Sequence, residues 1–275
     1  MPTDNYDVSQ LRDQARLVAA EAARLVAGLR AAGPGEVSTK STETDVVTSG
    51  DRAAERLVRE RLAQWWPDAP VLGEEEGGET PSAGLAWVVD PIDGTVNYLY
   101  GHPAYAVSVA AQVDGESVAG AIVEPATGRT WLAARGAGAT LDGRPLRVSA
   151  ADRLELTLVA TGFAYDRDRR ARQGQLWAGL LPTVRDIRRG GAASLELCAV
   201  AAGWVDAYVE HGLHRWDWAA GALIAQEAGA VVRLPTDPGQ SRADDGLGAE
   251  AVFVSTPGVA EQLRAALAGA GAGTV

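Results

Sequence analysis

Trp87-Val88-Val89-Asp90-Pro91-Ile92-Asp93-Gly94-Thr95 is the stretch that decides how this chain is read. An apolar run of strand character ends on an acid. Pro91, which has no N–H to give, is expected to stop the ladder and fix a turn. Asp93 follows Asp90, and Gly94-Thr95 leads toward a helix. Two carboxylates at the mouth of a strand offer oxygen ligands to a hard divalent cation, and a helix start beside them offers a seat for an anion. A cation and an anion at one spot point to metal-assisted chemistry on a phosphate.

Upstream, Leu11, Ala15, Val18, Ala22, Leu25 and Leu29 recur at helical spacing up to the breaker Gly33-Pro34-Gly35. A second helix is expected from a cap at Ser49 or Asp51 through Trp65-Trp66, stopped by Pro67. Strand patterns then cover Val71-Leu72, Leu85 to Val89, Ala104 to Val113, Ser117 to Val123 and Thr130 to Ala134, with turn signals at Asp114-Gly115 and Thr127-Gly128. From Ser149 strands and helices alternate, beginning with a strand from Leu154 to Ala160 and a helix from Arg167 to Leu181. The pattern predicts helices on a largely antiparallel sheet over residues 1–148 and an α/β layer over 149–275. The boundary is expected near Arg147 to Asp152, with both halves in one compact catalytic unit. Pro235 to Gly248 and the Ala/Gly tail after Leu267 are expected to be mobile.

With 275 residues, 47% hydrophobic and 22% charged, the chain has a soluble globular composition. Its longest apolar run, Leu197 to Val205, is far short of the ~20 residues of a membrane span. The polar start from Met1 to Asp7 does not read as a signal peptide, so a cytoplasmic location is expected. Cys198 is the single cysteine, which excludes an intrachain disulfide and a Cys-ligated zinc site and fits a core position. A net charge of −11 argues against nucleic acid as the main partner; an acidic protein that handles phosphate needs local compensation, which a metal supplies. Of 25 basic residues only Lys40 is a lysine. It stands where a compact ammonium is not replaced by a planar guanidinium.

Further acids lie in settings like the first pair. Gly73-Glu74-Glu75-Glu76-Gly77-Gly78, taken alone, is a solvated loop; Asp217 in Trp216-Asp217-Trp218-Ala219-Ala220-Gly221, taken alone, is an N-cap; Asp45 and Asp51 read as turn or cap residues. Together, Glu74, Asp90, Asp93 and Asp217 all fall at strand ends or helix starts, where α/β layers present groups to a cleft. Crowded carboxylates without a cation would raise one another's pKa, so such a cluster calls for metal. Competing motifs fall away. His102, His211 and His214 lack metal-pair spacing and are expected in surface or capping roles. The two acids of Asp90-Pro91-Ile92-Asp93 are too far apart for the Asp-x-Asp of haloacid dehalogenases. Gly136-Ala137-Gly138 lacks the third glycine and the helix of a dinucleotide site.

Gly73-Glu74-Glu75, Asp90 through Tyr98, and Trp216 through Gly221 with Glu227-Ala228-Gly229 resemble, in order, the signature blocks of the inositol monophosphatase family. The family is one of lithium-sensitive, magnesium-dependent phosphatases. Lys40, Asp45, Thr48 and Asp51, then Arg188 to Ala193 and Val205 to Glu210, extend the match. The resemblance implies a layered αβαβα sandwich of the inositol monophosphatase and fructose-1,6-bisphosphatase type, a homodimer, and inhibition by lithium. It implies two or three Mg2+ ions: Glu74, Asp90 and the Ile92 carbonyl for the first, Asp90, Asp93 and Asp217 for the second. A weaker third would sit by Glu74, near Asp51 and Lys40. Phosphate would rest on the N–H groups of Gly94 and Thr95, and Thr95, oriented by Glu74, would position the attacking water. Glu210, with Ala193 and Asp93 beside it, would bind ring hydroxyls, with Asp217 near the leaving oxygen; Thr161-Gly162-Phe163 would edge the pocket. The implied reaction is hydrolysis of myo-inositol 1-phosphate. The alternatives are fructose 1,6-bisphosphate, histidinol phosphate or adenosine 3′,5′-bisphosphate as substrate, or a regulatory dimer without catalysis.

Overall fold

In a computed structural model of the chain, residues 6–33, 36–40, 42–79, 83–235 and 245–275 are described. Helix α1 (Val8–Ala32) starts on the Asp7 carboxylate, which accepts from the Ser9 and Gln10 N–H groups, and ends at Gly33, whose φ of +109° disfavours a Cβ. A hairpin of β1 (Val37–Thr39) and β2 (Val46–Thr48) leads into α2 (Ser49–Trp65). The cap of α2 is Thr48, not Ser49 or Asp51. Asp51 stands one turn in and accepts from the Thr48 N–H at 2.8 Å, the reciprocal arrangement of a capping box.

Among the described residues a seven-stranded sheet follows the order β3 (Val71–Gly73), β4 (Leu85–Asp93), β5 (Ala106–Val113), β6 (Glu116–Val123), β7 (Thr130–Ala134), β8 (Ala139–Leu141), β9 (Arg144–Pro145). Only the β3–β4 pair is parallel. Between β4 and β5 comes the short helix α3 (Thr95–Leu99). A second sheet, of five strands, joins β10 (Leu158–Thr161), β11 (Asp186–Arg188), β12 (Ala207–His211), β13 (Val231–Arg233) and β14 (Ala251–Ser255) in the order β11-β10-β12-β14-β13. Its helices are α4 (Arg167–Leu180), α5 (Ala193–Ala201), α6 (Arg215–Glu227) and α7 (Ala260–Gly269).

Among the described residues three apolar clusters define the layers. One joins α1 and α2 to one face of the large sheet through residues such as Val18, Val58, Trp87 and Val109. The second joins the other face, at Val88, Ala110 and Ile122, to α5, α6 and the small sheet. The third packs the far face of the small sheet on α4 and α7. The result is the αβαβα sandwich that the resemblance implies. Because helices cover both faces of the large sheet, all nine residues of β4 are buried. The small residues of α6 let the middle layer close tightly. A Cβ on Gly221 would stand 2.8 Å from Leu197 of α5, and one on Gly120 of β6 would stand 3.1 Å from the Ala220 backbone.

Several expectations are corrected. Pro91 does not end the strand. Pairing passes from Asp90–Ser108 to Asp93–Ala106, so Pro91 and Ile92 together oppose Val107 in a bulge. That bulge has a consequence for the site: in a regular strand Asp90 and Asp93 would face opposite ways, and the extra residue brings both to one side. The Leu154–Leu156 segment is a 3-10 turn, and only Leu158–Thr161 is strand. The end of the chain is packed, since Leu267 and Ala272 are both fully buried. Of the stretch Pro235 to Gly248, residues 236–244 lie outside the described residues, while Leu247 is buried. His211 is neither surface nor cap: it is buried in β12 with Nε2 2.8 Å from the Leu247 carbonyl oxygen. His214 caps α6, stacks on Trp216 and is exposed; His102 is also exposed, and Cys198 is buried. Among the described residues no helix is long and apolar enough to cross a membrane.

Candidate active site

Between the two sheets lies a cavity of about 350 Å³ whose wall includes Lys40, Asp45, Glu74, Asp90, Ile92, Asp93, Gly94, Thr95, Ala193, Glu210 and Asp217. The end of β4 supplies Asp90 and Asp93, the turn after β3 supplies Glu74, and the first turn of α6 supplies Asp217. The four separated acids therefore face one space. Asp51 stands behind this wall, fully buried.

Each acid is held by a local donor. Asp90 Oδ1 accepts from the Ile92 N–H at 3.1 Å, across the bulge. Asp93 accepts from the Ala193 N–H at 3.1 Å, the Ser194 N–H at 2.7 Å and the Ser194 hydroxyl at 2.5 Å, which ties β4 to the start of α5. Asp217 accepts from the His214 N–H at 2.6 Å, so it serves its helix without being the N-cap residue. Glu74 and Glu75 accept from Lys40 Nζ at 2.8 and 2.5 Å. The triple-glutamate turn is thus not the solvated loop that its charge alone implies.

The electrostatics are those of a repulsive cluster. Burial raises the Asp90 carboxyl well above the carboxylate range, and the charges of Glu74, Asp93 and Asp217 raise it further. Asp217 is raised for the same reason, burial first, then Glu74 and Asp93. Burial pushes Asp93 up to about 6 against the opposing bonds from Ser194. Burial works against the charge on Lys40, but Glu74 and Glu75 outweigh it and hold the ammonium above the ordinary lysine range.

Among the described residues no three His, Cys, Asp or Glu side chains are grouped so that they could hold a metal ion as they stand; Lys40 bonds Glu74, Ser194 bonds Asp93 and the His214 N–H bonds Asp217 instead. The donor set nonetheless fits a hard divalent cation. It brings four carboxylates and Ile92 to one cavity, and the burial and mutual repulsion that raise Asp90 and Asp217 are what a cation would offset.

Thr95 is oriented by a different partner from the one expected. Its hydroxyl lies 3.2 Å from Asp51 Oδ1 and 3.0 Å from the Ile92 carbonyl oxygen, able to donate to either. Asp51 in turn accepts from the Thr48 hydroxyl at 2.5 Å, and burial raises its pKa. Gly94 precedes α3 with φ of +88°, where a Cβ would approach the Ala104 carbonyl oxygen to 3.0 Å. That left-handed residue turns the chain from strand to helix beside the acids.

On the other wall Glu210 of β12 accepts from the Tyr208 hydroxyl at 2.5 Å, and burial pushes its pKa up to about 7. A Cβ on Gly162 would overlap this carboxylate. Ala193 lines the cavity, but its N–H is engaged by Asp93. Asn97 bridges the walls, donating to the Ala104 carbonyl at 2.7 Å and the Gly190 carbonyl at 2.8 Å, and Glu196 accepts from the Gly190 N–H. Glu196 and Glu55 escape sequence reading, as do the bonding partners of Ser194 and Tyr208. A hydroxyl or an acid within an otherwise helical or alternating pattern carries no sign of which cross-layer partner it meets.

The model of the inositol monophosphatase family matches residues 7–270. The inositol-1-monophosphatase of Mycobacterium leprae is 51% identical over 97% of this chain and 96% of its own length. The solved structure of Mycobacterium tuberculosis SuhB has a TM-score of 0.80 at 45% identity, covering 97% of this chain and 99% of that one. The Nus factor SuhB of Pseudomonas aeruginosa is 42% identical over 68% of this chain and 72% of its own length.

Proposed function

This chain belongs to the inositol monophosphatase family, and from that premise we propose that it is a cytoplasmic, magnesium-dependent phosphatase that hydrolyses myo-inositol 1-phosphate to myo-inositol and phosphate. The observation that carries the reading is the convergence of Glu74, Asp90, Asp93 and Asp217 on one cavity that also holds Gly94, Thr95 and Glu210. A homodimer and inhibition by lithium belong to the same proposal.

Glu74, Asp90 and the Ile92 carbonyl would hold one magnesium ion, and Asp90, Asp93 and Asp217 a second; a third would sit by Glu74. Bound magnesium supplies neutralisation of the phosphate charge and acidifies water. The N–H groups of Gly94 and Thr95, at the start of α3, would seat the phosphate. With its proton given to Asp51 or to the Ile92 carbonyl, the Thr95 oxygen would be left as an acceptor that aligns a water on phosphorus. Asp51, its pKa raised by burial, is suited to accept a proton through that hydroxyl. Lys40 holds Glu74 in place. Asp217, which lines the same cavity, would lie near the leaving oxygen.

For the polyol, Glu210, whose Oε2 accepts from the Tyr208 hydroxyl, would accept from substrate hydroxyls with its other oxygen. Glu210→Ala is therefore expected to lower kcat/KM for myo-inositol 1-phosphate by roughly tenfold or more, since a lost hydrogen bond to a charged group is worth about 1.5–3 kcal/mol. An aryl phosphate, which has no hydroxyls to place there, should lose far less. Equal losses on both substrates would remove Glu210 from the specificity role. Phosphate release measured across myo-inositol 1-phosphate, fructose 1,6-bisphosphate, histidinol phosphate and adenosine 3′,5′-bisphosphate tests the substrate directly. The regulatory alternative draws on the relative named Nus factor SuhB, but the relative named inositol-1-monophosphatase matches at higher identity and over more of the chain.

A further inference from the structure

Glu55 is a carboxylate on α2 that is fully buried, lies outside the cavity wall and has no part in the chemistry above. Its two oxygens accept from the Glu75 N–H at 2.7 Å and the Glu76 N–H at 3.1 Å. One turn further along the helix, Arg59 donates to Glu55 Oε1 at 2.9 Å, to the Val71 carbonyl at 3.0 Å and to the Gly77 carbonyl at 2.6 Å. The pair thus reaches both flanks and the centre of a single turn, residues 71–77. Gly73 belongs to the same device: a Cβ there would overlap the Glu55 carboxylate. That turn carries Glu74 into the cavity and presents Glu74 and Glu75 together to Lys40.

A buried ion pair is a poor source of net stability, because desolvation offsets its attraction. What this one does supply is geometry. Backbone N–H groups at adjacent positions, held by one carboxylate, leave the turn little freedom to rotate Glu74 away. We propose that Glu55, clamped by Arg59, is a positioning residue that sets the magnesium affinity of the site through the Glu74–Glu75 turn. The proposal rests on the magnesium-phosphatase reading above and adds to it two residues that touch neither substrate nor ion. Groups that orient metal ligands characteristically change metal affinity by about 10–100-fold when altered.

The test is calorimetric titration of magnesium into metal-stripped wild type, Glu55→Gln, Gly73→Ala and Leu62→Ala, with melting temperatures in chelator and the magnesium dependence of phosphate release for each. Glu55→Gln should weaken magnesium binding by about tenfold or more, while phosphate release at saturating magnesium returns close to wild type. Gly73→Ala leaves the ion pair in place but pushes it from the turn, and should weaken magnesium binding likewise; it decides the matter if Glu55→Gln does not fold. Leu62, also buried on α2, contributes none of the bonds that hold the turn, so Leu62→Ala should lower the melting temperature and leave magnesium affinity unchanged. Wild-type affinity in the folded Glu55→Gln protein or in Gly73→Ala, or an equal loss in Leu62→Ala, overturns the proposal. A wild type that binds no magnesium overturns the phosphatase reading and this proposal together, so the two failures are distinguishable.

Discussion

Asp90→Asn is expected to lower the turnover number by at least about a thousandfold without lowering the melting temperature of the metal-free protein. Two opposed effects meet at this residue. In the folded chain Asp90 is a liability when ionised, because burial and the charges of Glu74, Asp93 and Asp217 all act against it. An amide of nearly the same shape removes that repulsion and keeps an oxygen for the Ile92 N–H. It also removes the one carboxylate assigned to both main ions, so transition-state stabilisation falls while ground-state folding does not. Steady-state phosphate release and thermal unfolding in chelator check the two halves. Retention of more than about a tenth of the wild-type rate, or a clear loss of metal-free stability, would contradict the assignment of Asp90.

The second large effect is a magnesium stabilisation that grows with pH. Asp90, Asp93 and Asp217 have pKa values raised in the folded chain, Asp93 to about 6. An acid with a raised folded pKa keeps its proton in the folded state where the unfolded chain has lost it. Stability is therefore greatest near or below the ordinary carboxylate range of about 4 and declines as pH rises through the folded pKa. The metal-free melting temperature should accordingly fall by about 5 °C or more between pH 5 and pH 8. His211 acts in the opposite sense, since burial lowers its pKa, so the diagnostic quantity is the difference made by magnesium at each pH. That difference should be small at pH 5, where protons compete, and large at pH 8, where a ligand at a hundred times its Kd contributes about 2.7 kcal/mol. A magnesium shift that is flat with pH would show that the acids are not the binding groups.

Much of this molecule is legible in its sequence, and what is not has a physical reason. The acids at Glu74, Asp90, Asp93 and Asp217 are visible because they interrupt apolar strand or helix patterns at their ends. The long helices and the strands of the large sheet follow from periodicity, as in Thr130–Ala134, where the expected and observed ends coincide. The bulge at Pro91 and Ile92 is not legible, because a proline announces a break in pairing but not whether the strand resumes beyond it. The two-residue strand Arg144–Pro145 has no periodicity to read. Thr48 loses the cap to Ser49 and Asp51 on paper, since all three residue types cap well and only the reciprocal bond to Asp51 decides. The Glu55–Arg59 pair shows in the sequence only its i,i+4 spacing, which does not say that the pair is packed on the turn of Glu74. Likewise, the partner of Thr95 is set by the approach of α2 to α3, a contact made across 44 residues.

Initial rates of phosphate release from myo-inositol 1-phosphate, measured as magnesium is returned to chelator-stripped protein, bear most directly on the claim that these acids assemble a metal-dependent phosphatase. Release should be absent without the ion and rise to saturation with it. Equal release with and without magnesium would contradict the account.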